Sequence, residues 1–178
     1  MREEKHEIAT LTITKQTPKD DVIRIGEECD RCGHCCKYDS GIVIEDDIPR
    51  IAHFLEISEK EFREKYLDEI EKFNTKKFKI KREETGKPYG PCLFYEGKEG
   101  CLIHEAKPLH CKVGNCKEQG EELSIWFMLN HFVNPDDPES IRQYAVYLKT
   151  HGTIPGGRLD ELVPDKKRLS RIMNFQIR

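Results

Sequence analysis

Apolar and polar residues alternate strictly along Thr10-Leu11-Thr12-Ile13-Thr14, the period of a half-buried strand. Val22-Ile23-Arg24-Ile25 is a second short extended candidate, and it leads directly into a dense run of cysteines. Gly41-Ile42-Val43-Ile44 is a third, with a glycine before it and acids after it. The period then changes. Ile48, Ile51, Ala52 and Leu55 recur at i, i+3, i+4 and i+7, one apolar face of a helix that Asp46 or Asp47 is placed to cap. Ser58 and Glu61 form a capping box, with Ile57 and Phe62 at the positions of a hydrophobic staple. Phe62, Tyr66, Ile70 and Phe73 continue that face, which predicts a helix of three turns.

Short strands broken by turns are expected over 77–103. Glu83-Glu84-Thr85-Gly86-Lys87-Pro88 is one turn, and Gly97-Lys98-Glu99-Gly100 joins Cys92-Leu93-Phe94-Tyr95 to Cys101-Leu102-Ile103 as a hairpin. Two helices follow the last cysteine. Ile125, Met128, Leu129 and Phe132 mark the first; Ile141, Tyr144, Ala145 and Leu148 mark the second, which Asp137 caps with Pro138 in its first turn. Between them Asn134-Pro135-Asp136 is a break. Ile154-Pro155-Gly156-Gly157 is a turn, and a last helix is expected near 165–174. The fold class is α+β, with helices packed around short strands and irregular cysteine-bearing loops.

The length of 178 residues fits one domain over 1–178, with a cysteine-bearing core at 29–116 and a helical C-terminal extension at 121–178. Thirty Lys and Arg against thirty-three Asp and Glu give a net charge of −3, which removes the electrostatic case for general nucleic-acid binding. The densest basic stretch, Lys76-Lys77-Phe78-Lys79-Ile80-Lys81-Arg82, alternates and reads better as an exposed strand with one buried face. No apolar run approaches the roughly 20 residues of a membrane helix, and the charged N-terminus carries no secretory signal. The expected setting is cytoplasmic.

Eight cysteines change the picture: Cys29, Cys32, Cys35, Cys36, Cys92, Cys101, Cys111 and Cys116. In a reducing compartment such thiols stay free for metals rather than pairing as disulfides. In Cys29-Asp30-Arg31-Cys32-Gly33-His34-Cys35-Cys36, two consecutive Cys-x2-Cys steps turn three thiolates toward one centre. Backbone N–H groups of such loops hydrogen-bond the sulfurs, and Gly33 suits the positive φ they require. Cys35 and Cys36 are vicinal, and neighbouring thiolates strain a chelate ring on a single ion. Cys36 is therefore left to a different iron, a second metal or none. The second half, Cys92-x8-Cys101-x9-Cys111-x4-Cys116, offers four more thiolates, and one site with spares or two sites both remain open.

The run Cys-x2-Cys-x2-Cys-Cys, followed by Pro91-Cys92-Leu93-Phe94 and by Cys101-Leu102-Ile103-His104-x3-Pro108-x2-Cys111-Lys112, resembles the CxxCxxCC cysteine-cluster family. The resemblance implies a zinc- or iron-chelating domain over roughly 29–116, with Cys29, Cys32, Cys35, Cys36, Cys92, Cys101 and Cys111 as ligands and Cys116 as an extra one. Lys107 stands where an arginine is common and His104 where a tyrosine is common. Relatives bearing this motif include a flagellin lysine methylase, while the family as a whole has no single activity.

All-thiolate donors suit zinc and iron–sulfur clusters alike. Zinc sites are usually built from two separated Cys-x2-Cys knuckles, and only the first half shows that spacing, so the expected cofactor is an iron–sulfur cluster of the 4Fe–4S type, with Zn²⁺ as the alternative. The histidines beside cysteines, His34, His104 and His110, are expected to point outward or to support the ligands rather than to bind. The expected role is an electron-transfer, cluster-carrier or accessory module with a protein partner. A zinc-stabilised interaction protein and a cluster enzyme using S-adenosylmethionine are the alternatives.

Overall fold

The computed structural model describes residues 12–27, 29–30 and 32–177. The first helix, α1 (Lys19–Gly26), starts after Pro18 and carries Asp20 and Asp21 in its first turn, where acids complement the helix dipole. The extended segment expected at 22–25 therefore lies inside a helix. Val22 and Gly26 are both buried four residues apart on one face, and that face packs on the helix bearing Cys111, with Gly26 directly against the backbone of Lys112 and Val113. Of the strand expected at 10–14, Thr10 and Leu11 lie outside the described residues. Thr12–Thr14 join no sheet, because the Thr14 N–H bonds the Thr17 hydroxyl at 2.8 Å and the Lys15 N–H bonds the Pro155 carbonyl at 2.8 Å.

A one-turn helix, α2 (His34–Tyr38), carries the vicinal cysteines and is followed by the two-residue strand β1 (Ile42–Val43). Helices α3 (Asp47–Phe54) and α4 (Glu59–Tyr66) come next. The Ser58 side chain accepts from the Glu61 N–H at 3.1 Å, as the capping box requires. The three-turn extension of α4 does not form. Leu67–Lys72 is instead strand β2, and it pairs with β3 (Thr75–Ile80) from Leu67 opposite Ile80 to Lys72 opposite Thr75. Phe73 and Asn74 both adopt positive φ, 50° and 55°, the two-residue turn whose twist matches a hairpin. Asp68 stands opposite Lys79 and Glu71 opposite Lys76, and Lys76 also reaches Glu69 at 2.7 Å. Such cross-strand pairing outweighs the helical spacing of Ile70 and Phe73. β1 adds to the other edge of β3, giving the antiparallel order β1-β3-β2.

The expected hairpin after 92 is present in shorter form. β4 (Tyr95–Glu96) pairs with β5 (Gly100–Cys101), and Cys92 bridges to Arg82 instead of facing Cys101. Then come α5 (Leu109–Val113), α6 (Gly120–His131), α7 (Pro138–Tyr147), the unforeseen short turn α8 (Leu159–Leu162) and α9 (Lys166–Met173). The Asp137 cap on α7 accepts from the Glu139 N–H at 2.9 Å. The arrangement is α+β: helices around two small antiparallel sheets. One buried cluster centres on α6 and α7, with Trp126, Leu129, Ile141 and Tyr144. A second joins α3 and α4 to the three-stranded sheet and the 92–106 loops through Ile48, Phe62, Ile80 and Phe94. The cysteine-bearing loops run along the flank of this second cluster, with Cys92 packed into it. No described helix is long and apolar enough to cross a membrane.

Candidate metal centre

Gly33 begins the site. Its φ of 72° is left-handed, and the Tyr95 ring leaves no room for a side chain there, so glycine both turns the chain into α2 and allows the ring to close over it. One helical turn then presents Cys35 and Cys36. The Cys36 carbonyl accepts from the Cys92 N–H at 2.8 Å, a backbone bond that fastens the first cysteine stretch to the second across more than fifty residues of chain.

Cys92 and Cys101 sit in twin turns. Tyr95 N–H bonds the Cys92 carbonyl at 2.8 Å, and His104 N–H bonds the Cys101 carbonyl at 3.1 Å. In each turn the N–H two residues on, from Phe94 or Ile103, donates to the cysteine sulfur. Phe94 and Ile103 are buried anchors, whereas Leu93 and Leu102 between sulfur and anchor are exposed. This is the knuckle arrangement, with amide dipoles aimed at a thiolate. The sequence carries its signal as the repeated Cys-Leu followed by a large apolar residue, which spacing between cysteines alone did not reveal.

Cys111 arrives on α5, and a buried acid holds that helix in place. Both Asp47 carboxylate oxygens accept from the Leu109 N–H, at 3.1 and 3.2 Å, and one also accepts from Ile44 N–H at 3.2 Å. Asp47 therefore does not cap its own helix, and Asp46, at the N-cap position, makes no side-chain cap either. Arg50 pairs with Asp47 at 2.6 Å and donates to the Lys107 carbonyl at 3.2 Å. The Cys111 sulfur lies against Gly41, where any Cβ would overlap it.

Electrostatics tie five of these thiols together. Cys36 feels Cys35, Cys111 and Cys101; Cys101 feels Cys35; Cys111 feels Cys92, Cys101 and Cys35. Burial is the main influence that raises Cys92, to about 11, and it likewise raises Cys101 and Cys111, with the neighbouring sulfurs adding to the shift. Lys107 opposes the rise at Cys101 and Cys111. The Cys36 thiol donates to Cys35, holding Cys36 above and Cys35 below the ordinary thiol value. Crowded sulfurs that repel each other's negative charge are the donor set that a cation stabilises, by replacing their protons.

Cys29 is half-buried, and Cys32 and Cys116 are exposed. Their loops neighbour each other: Lys117 pairs with Asp30 at 2.6 Å, and the Asn115 amide donates to the Ile25 carbonyl at 3.3 Å. Among the described interactions none joins these three cysteines to the other five. His110 turns its Nδ1 to the Ile42 N–H at 3.4 Å, and His34 packs its ring against Tyr38 at 5.0 Å. Among the described residues, no three cysteine, histidine or acidic side chains are set to hold one metal ion without adjustment.

All-sulfur donors on backbone-supported turns define a metal-chelating cysteine domain. The chain belongs to the CxxCxxCC family, whose model, described as "Putative zinc- or iron-chelating domain", matches residues 28–126, more than half its length. No curated protein and no solved structure matches it.

Proposed function

We propose that four of the five thiols Cys35, Cys36, Cys92, Cys101 and Cys111 ligate an iron–sulfur cluster of the 4Fe–4S type, with the fifth beside it, and that the protein serves as an electron-transfer, cluster-carrier or accessory module for a protein partner. One observation carries this reading. The vicinal thiols Cys35 and Cys36 both stand within electrostatic reach of the same two cysteines, Cys101 and Cys111. Neighbouring thiolates chelate a single zinc poorly, whereas a polynuclear centre offers them separate irons. The cluster supplies one-electron redox chemistry. The chain supplies thiolates, the Phe94, Ile103 and Gly41 N–H groups that donate to sulfur and stabilise the more reduced charge state, and an apolar flank that limits water.

Cys29, Cys32 and Cys116 form the outlying set on the neighbouring loops. A structural zinc is the second reading, favoured by the twin turns at Cys92 and Cys101. Anaerobic purification followed by iron, zinc and acid-labile sulfide analysis separates the two. Equimolar iron and sulfide with visible thiolate-to-iron absorption supports the cluster; zinc alone overturns it. Of Cys35→Ser and Cys36→Ser, made separately, at least one lowers the metal content under this reading. Full retention in both removes the vicinal pair from the centre.

A further inference from the structure

A cavity of about 90 Å³ opens between β1, the end of β2, α5, α6 and α7. Its floor is apolar, with Ile125 and Met128. Its polar lining consists of Lys72, His110, Ser124 and Tyr147, and no carboxylate side chain takes part. The Lys72 ammonium stands 5.1 Å from the Phe73 ring centre and 5.3 Å from that of Tyr147. Those ring faces hold the cation, and no acid among the described residues pairs with it. Lys72 is exposed overall, and desolvation where it lies over the rings lowers it from the ordinary lysine value. His110 accepts from Ile42 N–H through Nδ1, so its neutral ring carries a donor at Nε2. Glu121 acts on Tyr147 from the first turn of α6 but stays outside the lining.

We infer that this cavity binds a short-chain monocarboxylate, its carboxylate against Lys72 and the Ser124 hydroxyl and its alkyl chain over Ile125 and Met128. The lining offers cationic and neutral donors to one end of a guest and hydrocarbon to the other, which is the complement of a carboxylic acid anion with a small apolar body. The cavity is small, which limits the guest to a short chain of the butyrate class. Lys72, whose ammonium lies near two aromatic rings and in no ion pair among the described residues, is a cation open to an anion from outside the chain. The proposal is independent of which metal the cysteines hold.

Calorimetric titration of the purified, metal-loaded protein with butyrate, and with butyramide as the neutral isostere, tests it. Saturable butyrate binding is expected, at least about tenfold tighter than butyramide, because the charge-assisted contact to Lys72 is lost with the amide. Lys72→Met and the rim-filling Ser124→Phe should each weaken butyrate at least about tenfold while metal content stays unchanged. No saturable heat with butyrate, equal affinity for butyramide, or full binding by Lys72→Met overturns the assignment. Each of these results leaves the metal reading untouched, since iron, zinc and sulfide are measured on the same samples.

Discussion

The Asp47 carboxylate accepts from the Leu109 N–H with both of its oxygens, joining α3 to the first turn of α5 across sixty-two residues of sequence. Leu109 lies two residues before Cys111, so this contact sets where that thiol stands. Asp47 is 3% exposed, and its charge is met by Arg50 and by the Ile44 N–H as well. It is a positioning residue for the cysteine site.

Asp47→Asn keeps the size but loses the charge and one acceptor. The neutral amide leaves Arg50 without its partner and the Leu109 N–H half-satisfied, at a cost of about 2–4 kcal/mol. Chemical denaturation of the variant should show that loss, and its metal content should fall below that of the parent. Arg50→Lys, which keeps a cation beside Asp47, should show a smaller effect on both.

Gly41→Ala probes the same thiol from the other side. The new methyl meets the Cys111 sulfur head-on, and the backbone at β1 has little freedom to yield because Ile42 and Val43 are paired to β3. Overpacking of this kind costs about 1–3 kcal/mol. Metal content should drop more steeply than stability, as read by elemental analysis beside a denaturation curve.

The turn at Phe73 and Asn74 gives a stability prediction remote from the cysteines. Asn74 tolerates its left-handed φ, its side-chain amide donates to the Asp137 carboxylate at 2.7 Å, and its backbone N–H bonds Gln143 at 3.0 Å. Asn74→Ala pays for the positive φ and loses the side-chain bond, about 1–2 kcal/mol together. Asn74→Gly loses only the side-chain bond and should fall between the two. Metal content should be unchanged in both.

His131 supplies a pH dependence. Its Nε2 is buried without a partner among the described residues, its ring packs on Phe127 at 4.7 Å, and burial holds it below the ordinary histidine value. As pH falls, the unfolded chain therefore takes up this proton first. The contribution of His131 to stability is complete above about 6.5 and declines below it, toward the depressed folded value. His131→Phe should flatten that part of the stability–pH curve and raise stability at acid pH, measured by denaturation at stepped pH.

What was legible in the sequence follows from how local each cause is. Ser58 with Glu61, Asp137 with Pro138, and the apolar rows of α6 and α7 are set within a turn or two, and they stand where the pattern put them. The end of α4 was misplaced because Tyr66, Ile70 and Phe73 keep helical spacing, while the deciding facts are non-local: a row of acids meets a row of lysines across a hairpin. Val22 to Ile25 misled for the same reason, since only the neighbouring α5 explains why Val22 and Gly26 share a face. At the site, the left-handed Gly33 was foreseeable from the first cysteine loop, whereas the twin turns at Cys92 and Cys101 were not, because their signal lies in the residues after each cysteine rather than in the spacing. Asp47 was not, because an acid after a strand reads as a cap for its own helix until a second helix is seen to end on it.

The grouping of thiols is the central claim, and differential alkylation tests it most directly. Native, anaerobically prepared protein is labelled before and after metal removal by a chelator, and each cysteine is quantified by mass spectrometry. Cys35, Cys36, Cys92, Cys101 and Cys111 should be protected together and become reactive together, while Cys32 and Cys116 react throughout. Equal labelling of the five before and after metal removal, or protection centred on Cys32 and Cys116 instead, contradicts the account.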